Sequence, residues 1–239
     1  MGGVIKVSFS VEDMICTAVK GSTVEEMKEA IRIVRSNIVE LRIDTLKDYH
    51  NTLEEIKQLV NDLHKLGKKS IITLRESSEG GGYEGSSDVK LKILLKLTDA
   101  NPDFIDIELR FPLLSNLMEK LKDKEIKVIV SYHDFSGTPR YDVLRGIIKE
   151  GLSHGVHIVK VVTLANEPSD NITTLNLCSE WKGKVISFCM GRRGLLSRIL
   201  APFFGAPFTY AYPKGKGPTA PGQISVDEVI EFWKKLGLI

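Results

Sequence analysis

Strand-like and helix-like runs alternate eight times along this chain of 239 residues. Each strand candidate is a short apolar run, and each is followed by a run with apolar residues on one helical face. The strand candidates are Ile15–Val19, Ile38–Arg42, Lys69–Leu74, Phe104–Leu109, Lys127–Tyr132, Val156–Val162, Val185–Cys189 and Phe208–Tyr212. Eight β/α units in a chain of this length predict an α/β fold, a (β/α)8 TIM barrel, with a doubly wound open sheet as the alternative.

No linker, low-complexity segment or longer repeat divides the chain, so we predict a single catalytic domain over residues 1–239. The β-prone run Val4–Ser10 precedes the first β/α unit, and we interpret it as part of a short N-terminal β-hairpin that closes the bottom of the barrel. The only long irregular segment is Pro213–Gly222, whose glycines and prolines are typical of a lid or a disordered connection.

Composition excludes several classes of function. A net charge of +2, with acids and bases interspersed, gives no strongly positive electrostatic field that would bind nucleic acid or an anionic membrane. No apolar run reaches transmembrane length, and the N-terminus lacks a signal-peptide pattern. The three cysteines show no metal-ligand spacing. We therefore expect reduced thiols, a cytoplasmic location and no metal site.

One lysine interrupts the apolar run His157–Thr163. Lys160 lies in the middle of this predicted strand, although lysine is rarely buried without a partner. It is either ion-paired near a strand edge or held as a neutral, desolvated amine, which is the form that Schiff-base chemistry requires.

Polar residues gather where the predicted strands end, which is where TIM barrels carry their chemistry. These strand ends contain Glu40 to Asp44, Arg75 with Glu79, Asp106 to Arg110, Ser131 to Asp134, and Met190 to Arg193. Each has a structural explanation when taken alone, such as an ion pair between Glu40 and Arg42 or a flexible turn at Gly80–Gly82. Their convergence with Lys160 on one barrel mouth favours an active site.

The same segments resemble the type I 3-dehydroquinate dehydratase family over nearly the whole chain after Ile15. The resemblance rests on Glu40-Leu41-Arg42-Ile43-Asp44, Thr73-Leu74-Arg75 with Glu79-Gly80-Gly81, Ser131-Tyr132-His133-Asp134-Phe135, Val159-Lys160, Met190-Gly191 with Ser197-Arg198, and Ala220-Pro221-Gly222-Gln223. No single motif is decisive, but six in the right order and spacing are specific.

The resemblance implies a role for each matching residue. Lys160 would form an imine with the substrate ketone, His133 would carry protons, and Glu79 would orient the imidazole and favour its charged form. Arg198 would receive the substrate carboxylate. The remaining substrate-binding residues would be Glu40, Arg42, Arg75, Met190, Thr219 and Gln223. The family usually has a serine where Thr219 stands, and the hydroxyl is kept.

The implied activity is dehydration of 3-dehydroquinate to 3-dehydroshikimate in the shikimate pathway of aromatic amino-acid biosynthesis. This lyase would need no metal or organic cofactor, and the family often forms homodimers. Two alternatives stay open. A class I aldolase-like lyase shares the barrel and the lysine imine, although the arginine and glutamate set suits a polyhydroxylated carboxylate better than a sugar phosphate. A non-catalytic barrel that binds a small organic acid would not need both Lys160 and His133.

Overall fold

A computed structural model describes residues 10–239, and its eight strands form one parallel sheet. The strands are β1 Ile15–Val19, β2 Ile38–Arg42, β3 Lys69–Thr73, β4 Phe104–Glu108, β5 Lys127–Asp134, β6 Ile158–Leu164, β7 Val185–Met190 and β8 Thr209–Ala211. Their order, β7-β6-β5-β4-β3-β2-β1-β8, curls the sheet into a nearly closed barrel with its seam between β7 and β8. The predicted (β/α)8 TIM barrel is confirmed, and the open-sheet alternative is wrong.

Helices alternate with the strands as the periodicity predicts. They are α1 Val24–Arg32, α2 Leu53–Lys65, α3 Ser87–Leu97, α4 Leu114–Leu121, α5 Tyr141–Ser153, α6 Asp170–Glu180, α7 Leu195–Leu200 and α8 Val226–Lys235. A short 3-10 helix, Val11–Met14, precedes β1. Positions 4–9 of the predicted N-terminal hairpin lie outside the described residues.

The barrel has an apolar layer on each side of its strands. Outward-facing side chains such as Val39, Ile72 and Val159 are buried in the cluster that includes the helices. Inward-facing side chains near the start of the strands form a second cluster that fills the bottom of the barrel. Its members include Ile38, Ile71, Phe104, Ile129, Ile158, Ile186 and Phe208. The barrel is therefore closed from below by packed side chains.

The inward face turns polar two residues further along most strands, because successive side chains on one face are two residues apart. The residues at these positions are Glu40, Thr73, Asp106, Ser131 and Lys160, and all five are buried. Strand register aligns Thr73 with Asp106 and Ser131 with Lys160. A polar layer thus rests on the apolar one and faces the carboxyl ends of the strands.

Two negative findings apply to residues 10–239. No helix there is long and apolar enough to cross a lipid bilayer. No group of three or more histidine, cysteine, aspartate or glutamate side chains there is arranged to hold a metal ion.

Candidate active site

A cavity opens above the polar layer at the carboxyl ends of the strands. Its wall contains all ten residues singled out from the sequence: Glu40, Arg42, Arg75, Glu79, His133, Lys160, Met190, Arg198, Thr219 and Gln223. They come from six strand ends or following loops and from helix α7. Parallel strands end at the same rim of a barrel, which is why residues so distant in sequence meet.

Lys160 lies inside the barrel and is 4% exposed, so it is not at a solvent-exposed strand edge. Its Nζ donates a hydrogen bond to the carboxylate of Asp106, and Glu40 Oε1 lies 4.0 Å away. The centre of the Tyr210 ring is 4.7 Å from the same nitrogen. The lysine is therefore both ion-paired and exposed to the cavity.

Asp106 links Lys160 to Arg75. Arg75 Nη2 donates to Asp106 Oδ1 at 2.5 Å, while Nη1 donates to Glu108 Oε1 at 3.1 Å and to Ser131 Oγ at 2.5 Å. Burial by itself raises the pKa of Asp106, but the charges of Arg75 and Lys160 outweigh burial and hold that pKa well below its usual range. Asp106 therefore stays ionised and orients the lysine nitrogen.

The row of charges continues away from the cavity. Glu108 accepts a hydrogen bond from Lys90 Nζ on its other oxygen, and Glu76 N donates to Glu108 Oε1 at 3.0 Å. Lys90 is fully buried on α3 and also contacts Glu76 Oε1 at 3.2 Å. Alternating cations and anions thus run from Lys90 to Lys160, so no member is buried without an opposite charge.

His133 and Glu79 form a hydrogen-bonded pair at the cavity wall. His133 Nδ1 lies 2.8 Å from Glu79 Oε2. Burial, together with the positive charges of Arg75 and Lys160, lowers the pKa of His133 well below its usual value. This lowered pKa is the net result of burial and the surrounding cations, and the expectation that Glu79 favours the charged imidazole stays a prediction. Burial also raises the pKa of Glu79 to about 7.

Arg198 differs from the other arginines of the cavity because its guanidinium is largely unpartnered. It is 1% exposed on α7, and its Nε and Nη2 find no hydrogen-bond partner among the described residues. Its Cζ lies 4.3 Å from the centre of the Phe188 ring. Burial lowers its pKa to about 10, so the group keeps its charge at neutral pH. An unpaired buried cation at a cavity wall is suited to receive an anionic group.

Arg42 is paired with Asp44. Its Nε and Nη2 donate to the two carboxylate oxygens of Asp44 at 2.9 and 2.8 Å. Glu40 Oε1 instead accepts a hydrogen bond from Thr73 Oγ1 at 2.7 Å. The explanation of Glu40 and Arg42 as a mutual ion pair is wrong, which leaves Glu40 available to the cavity.

The glycine-rich turn after β3 is required by close packing. A Cβ atom on Gly81 would lie 2.0 Å from the carbonyl oxygen of Arg75, and one on Gly82 would lie 2.5 Å from that of Asp44. The turn brings Glu79 to His133 and Gly82 N to Asp44 Oδ2, at 3.1 Å. Its glycines are explained without a bound phosphate.

The irregular segment after β8 lies against the cavity. Thr219 N and Oγ1 donate to Gln223 Oε1 at 2.6 and 2.8 Å. Gly222 has a φ of +71°, and a Cβ there would meet Gly191 O at 2.3 Å. Gly191 N also donates to Pro221 O at 3.0 Å. Glycine at position 222 thus lets this segment pack directly on the end of β7.

Sequence reasoning did not assign roles to several residues of this site. Asp106 was recognised as a polar strand-end residue, and its spacing to Glu108 marks a shared face. Phe188 and Tyr210 also line the cavity, but their apolar strand pattern is the same as that of core residues. Nothing in the sequence distinguishes them from the apolar plug beneath.

The fold and the cavity together define a TIM barrel with a lysine, a histidine and arginines around the mouth at the carboxyl ends of its strands. A family model described as type I 3-dehydroquinase matches residues 15–238. The 3-dehydroquinate dehydratase of Methanocaldococcus jannaschii is 37% identical over 231 residues, covering 94% of this chain and 100% of that protein. The 3-dehydroquinate dehydratase of Pyrococcus abyssi is 35% identical over 224 residues, covering 94% of this chain and 99% of that protein.

A solved structure supports the same fold. The 3-dehydroquinate dehydratase of Geobacillus kaustophilus superposes with a TM-score of 0.84 at 23% identity, covering 95% of this chain and 91% of that one. The chain belongs to the type I 3-dehydroquinase family. The resemblance stated from the sequence motifs is confirmed.

Proposed function

We propose that this enzyme dehydrates 3-dehydroquinate to 3-dehydroshikimate through an imine on Lys160. Family membership supports the reaction. The observation that carries the assignment of residues is the unpaired guanidinium of Arg198, which lines the same cavity as Lys160 and His133. A substrate with a carboxylate and a ketone would satisfy Arg198 and present its carbonyl carbon to the lysine.

The first step is attack by the neutral amine of Lys160 on the ketone carbon. The carbonyl oxygen takes one hydrogen from the amine and the proton that the Lys160 ammonium gave up before the attack, and it leaves as water. The nitrogen keeps one hydrogen and carries a positive charge as an iminium. Asp106, bonded to Nζ, would hold the nitrogen in place through this step. The iminium draws electrons from the adjacent carbon more strongly than the ketone does, which makes the proton on that carbon removable.

The second step uses the imidazole of His133. Because its pKa is lowered, His133 is neutral at neutral pH. With Nδ1–H donated to Glu79, Nε2 carries the lone pair. His133 would take the proton next to the iminium, giving an enamine, and return that proton as the β-hydroxyl departs as water. Ionised Glu79 would stabilise the intervening imidazolium. Hydrolysis of the imine then releases product and Lys160.

The remaining residues are proposed to bind the substrate ring. Glu40 has an available carboxylate oxygen. Arg42 and Arg75 are already bonded to carboxylates, so they would present their remaining N–H groups in fixed orientations. Met190 would pack against the ring, and Thr219 with Gln223 would close the cavity from the β8 side.

The imine is tested by borohydride reduction in the presence of 3-dehydroquinate, followed by mass mapping of the modified peptide. We expect one reduced adduct on Lys160 and appearance of the enone absorbance of the product. Lys160→Ala should give neither, while Lys92→Ala, a change of an exposed lysine on α3, should give both. Normal turnover by Lys160→Ala would exclude the mechanism.

The role of His133 is tested by the same trap. His133→Ala should still form a reducible adduct on Lys160 but should lose turnover by about 10²–10⁴-fold, the usual worth of general acid–base help. An aldolase-like activity would appear as cleavage of a carbon–carbon bond in place of the enone. A passive binding barrel would bind 3-dehydroquinate without any adduct.

We further propose that residues 1–239 form one catalytic domain that acts in the cytoplasm as a homodimer. Exposed apolar side chains on and after α7, namely Leu196, Phe203 and Phe204, support a self-association surface. Light scattering should give a dimer mass for the wild type and a monomer mass for Leu196→Glu. A monomeric wild type would exclude the dimer.

A further inference from the structure

Tyr210 is a buried aromatic residue of the cavity to which the proposed mechanism gives no role. It lies on β8 and is 4% exposed, and its hydroxyl finds no hydrogen-bond partner among the described residues. Two neighbouring rings fix its position, Phe208 with a centroid distance of 5.6 Å and Phe188 at 6.1 Å. The ring is therefore held in place by packing.

The ring of Tyr210 lies next to the reacting atom. Its centroid is 4.7 Å from Lys160 Nζ, within the range at which an aromatic face attracts a cation. Burial raises the pKa of Tyr210 well above its usual value, so the ring stays a neutral phenol throughout the working pH range. The interaction is also shielded from water, which strengthens it.

We propose that Tyr210 is a catalytic residue whose aromatic face stabilises the iminium formed on Lys160. An ammonium has three N–H donors and can satisfy them with carboxylates. The iminium nitrogen has one N–H, so it loses hydrogen bonds while keeping its positive charge. Asp106 accepts the hydrogen bond from the remaining N–H. The aromatic face of Tyr210 stabilises the positive charge of the iminium in place of the lost hydrogen bonds.

The same argument predicts a difference between steps of the reaction. The ring attracts the cationic iminium but gives no comparable attraction to the neutral enamine that follows it. Tyr210 therefore favours formation of the first iminium, and it favours the iminium that forms again from the enamine before hydrolysis. It contributes little to non-covalent substrate binding. This inference rests on the proposed Lys160 imine and deepens it.

The first test separates the ring from the hydroxyl. Tyr210→Phe keeps the face and should retain kcat and the trapped imine fraction within about twofold. Tyr210→Leu removes the face and should lower both by about tenfold to thirtyfold, the value of a desolvated cation–aromatic contact, with little change in KM. A Tyr210→Leu enzyme with wild-type imine formation overturns the proposal, as does a Tyr210→Phe enzyme that is equally impaired.

The second test keeps the packing constant. Phenylalanine analogues with one, two and three fluorine atoms at position 210 fill nearly the same volume but have progressively weaker negative faces. The borohydride-trapped fraction at saturating 3-dehydroquinate should fall stepwise along this series. A flat series, with wild-type enzyme still trapping normally, overturns the role of Tyr210 alone. Failure of wild-type enzyme to trap any adduct would instead overturn the proposed function.

Discussion

The two sides of the cavity each contain a buried arginine, and the two guanidinium groups differ in their partners. On the side of β3 and β4, Arg75 is bonded to Asp106, Glu108 and Ser131, and that network extends to Lys90. On the side of β7 and β8, Arg198 lies against the ring of Phe188, and its Nε and Nη2 have no hydrogen-bond partner within residues 10–239.

The difference indicates that the charge of Arg75 has a structural role and that the charge of Arg198 is available to a ligand. A paired buried ion contributes geometry, because breaking the pair is costly. An unpaired buried ion lowers the stability of the protein without substrate, and binding of an anion restores that stability. The two sides should therefore respond oppositely to loss of their cation, and the responses can be measured.

The largest effect is expected at Arg198. Arg198→Met should raise KM by about 10²–10³-fold, because the substrate carboxylate loses its buried partner. The same change should raise the free energy of unfolding of the ligand-free protein by about 1–4 kcal/mol, because an unpaired buried charge is replaced by an apolar side chain. Steady-state kinetics and urea unfolding check the two halves. A destabilised Arg198→Met protein would contradict the view that Arg198 is unpaired.

Lys90 should behave in the opposite way. Lys90→Met removes one of the two cations bonded to Glu108 and leaves Arg75 as the other, so it should lower the free energy of unfolding by about 1–3 kcal/mol, the cost of a lost hydrogen bond to a charged group. Lys92→Met on the same helix, an exposed position, is the matched control and should stay within about 0.5 kcal/mol of wild type. Equal effects in the two variants would break the contrast between the sides of the cavity.

The pH profile sharpens the assignment of His133 and Glu79. His133 is already neutral above its lowered pKa, whereas Glu79 has a pKa of about 7 and becomes neutral below it. A neutral Glu79 no longer stabilises the imidazolium, so kcat should fall as pH drops through about 7. Since the two groups interact, the observed pKa belongs to the pair.

Replacing Glu79 isolates its contribution. Glu79→Gln should remove the acid limb near pH 7 and lower the plateau by about 10–100-fold. Glu84→Gln, an exposed change in the same loop, should keep the wild-type profile. An unchanged limb in Glu79→Gln would assign that titration to another group.

The smallest effect is expected at Thr219. Its hydroxyl donates to Gln223 Oε1 at 2.8 Å, and Thr219→Ser keeps that donor, so kcat/KM should stay within about twofold of wild type. Thr219→Val removes the hydroxyl but keeps the shape, and it should raise KM by severalfold. Equal kinetics in both variants would show that this hydroxyl does not help to close the cavity.

The strands could be predicted well from the sequence, because each buried parallel strand is a short, strongly apolar run. Helix starts are less well marked in the sequence. Helix α2 begins at Leu53, and Thr23 caps α1 although Ser22 is also a hydroxyl residue. In the second case Thr23 Oγ1 accepts from Glu26 N at 3.2 Å, while Ser22 N donates to the Glu26 carboxylate. Adjacent hydroxyl residues cannot be told apart by pattern.

The residues of the cavity could be named from strand ends and family motifs, but their pairing could not. Nothing local indicates that Arg75 is paired with carboxylates while the Arg198 guanidinium has none among residues 10–239, because Glu108 and Asp106 reach Arg75 across neighbouring strands. Lys90 sits among the buried residues of α3, and its partner is visible only in the fold. The net direction of the His133 pKa also depends on burial, which a sequence does not give.

The most direct measurement of the central claim is a crystal structure of the borohydride-reduced adduct with 3-dehydroquinate. We expect a carbon–nitrogen bond to Lys160 Nζ, with the substrate carboxylate within hydrogen-bond distance of the Arg198 guanidinium. An adduct on another lysine, or a carboxylate directed to Arg42 or Arg75, would contradict this account.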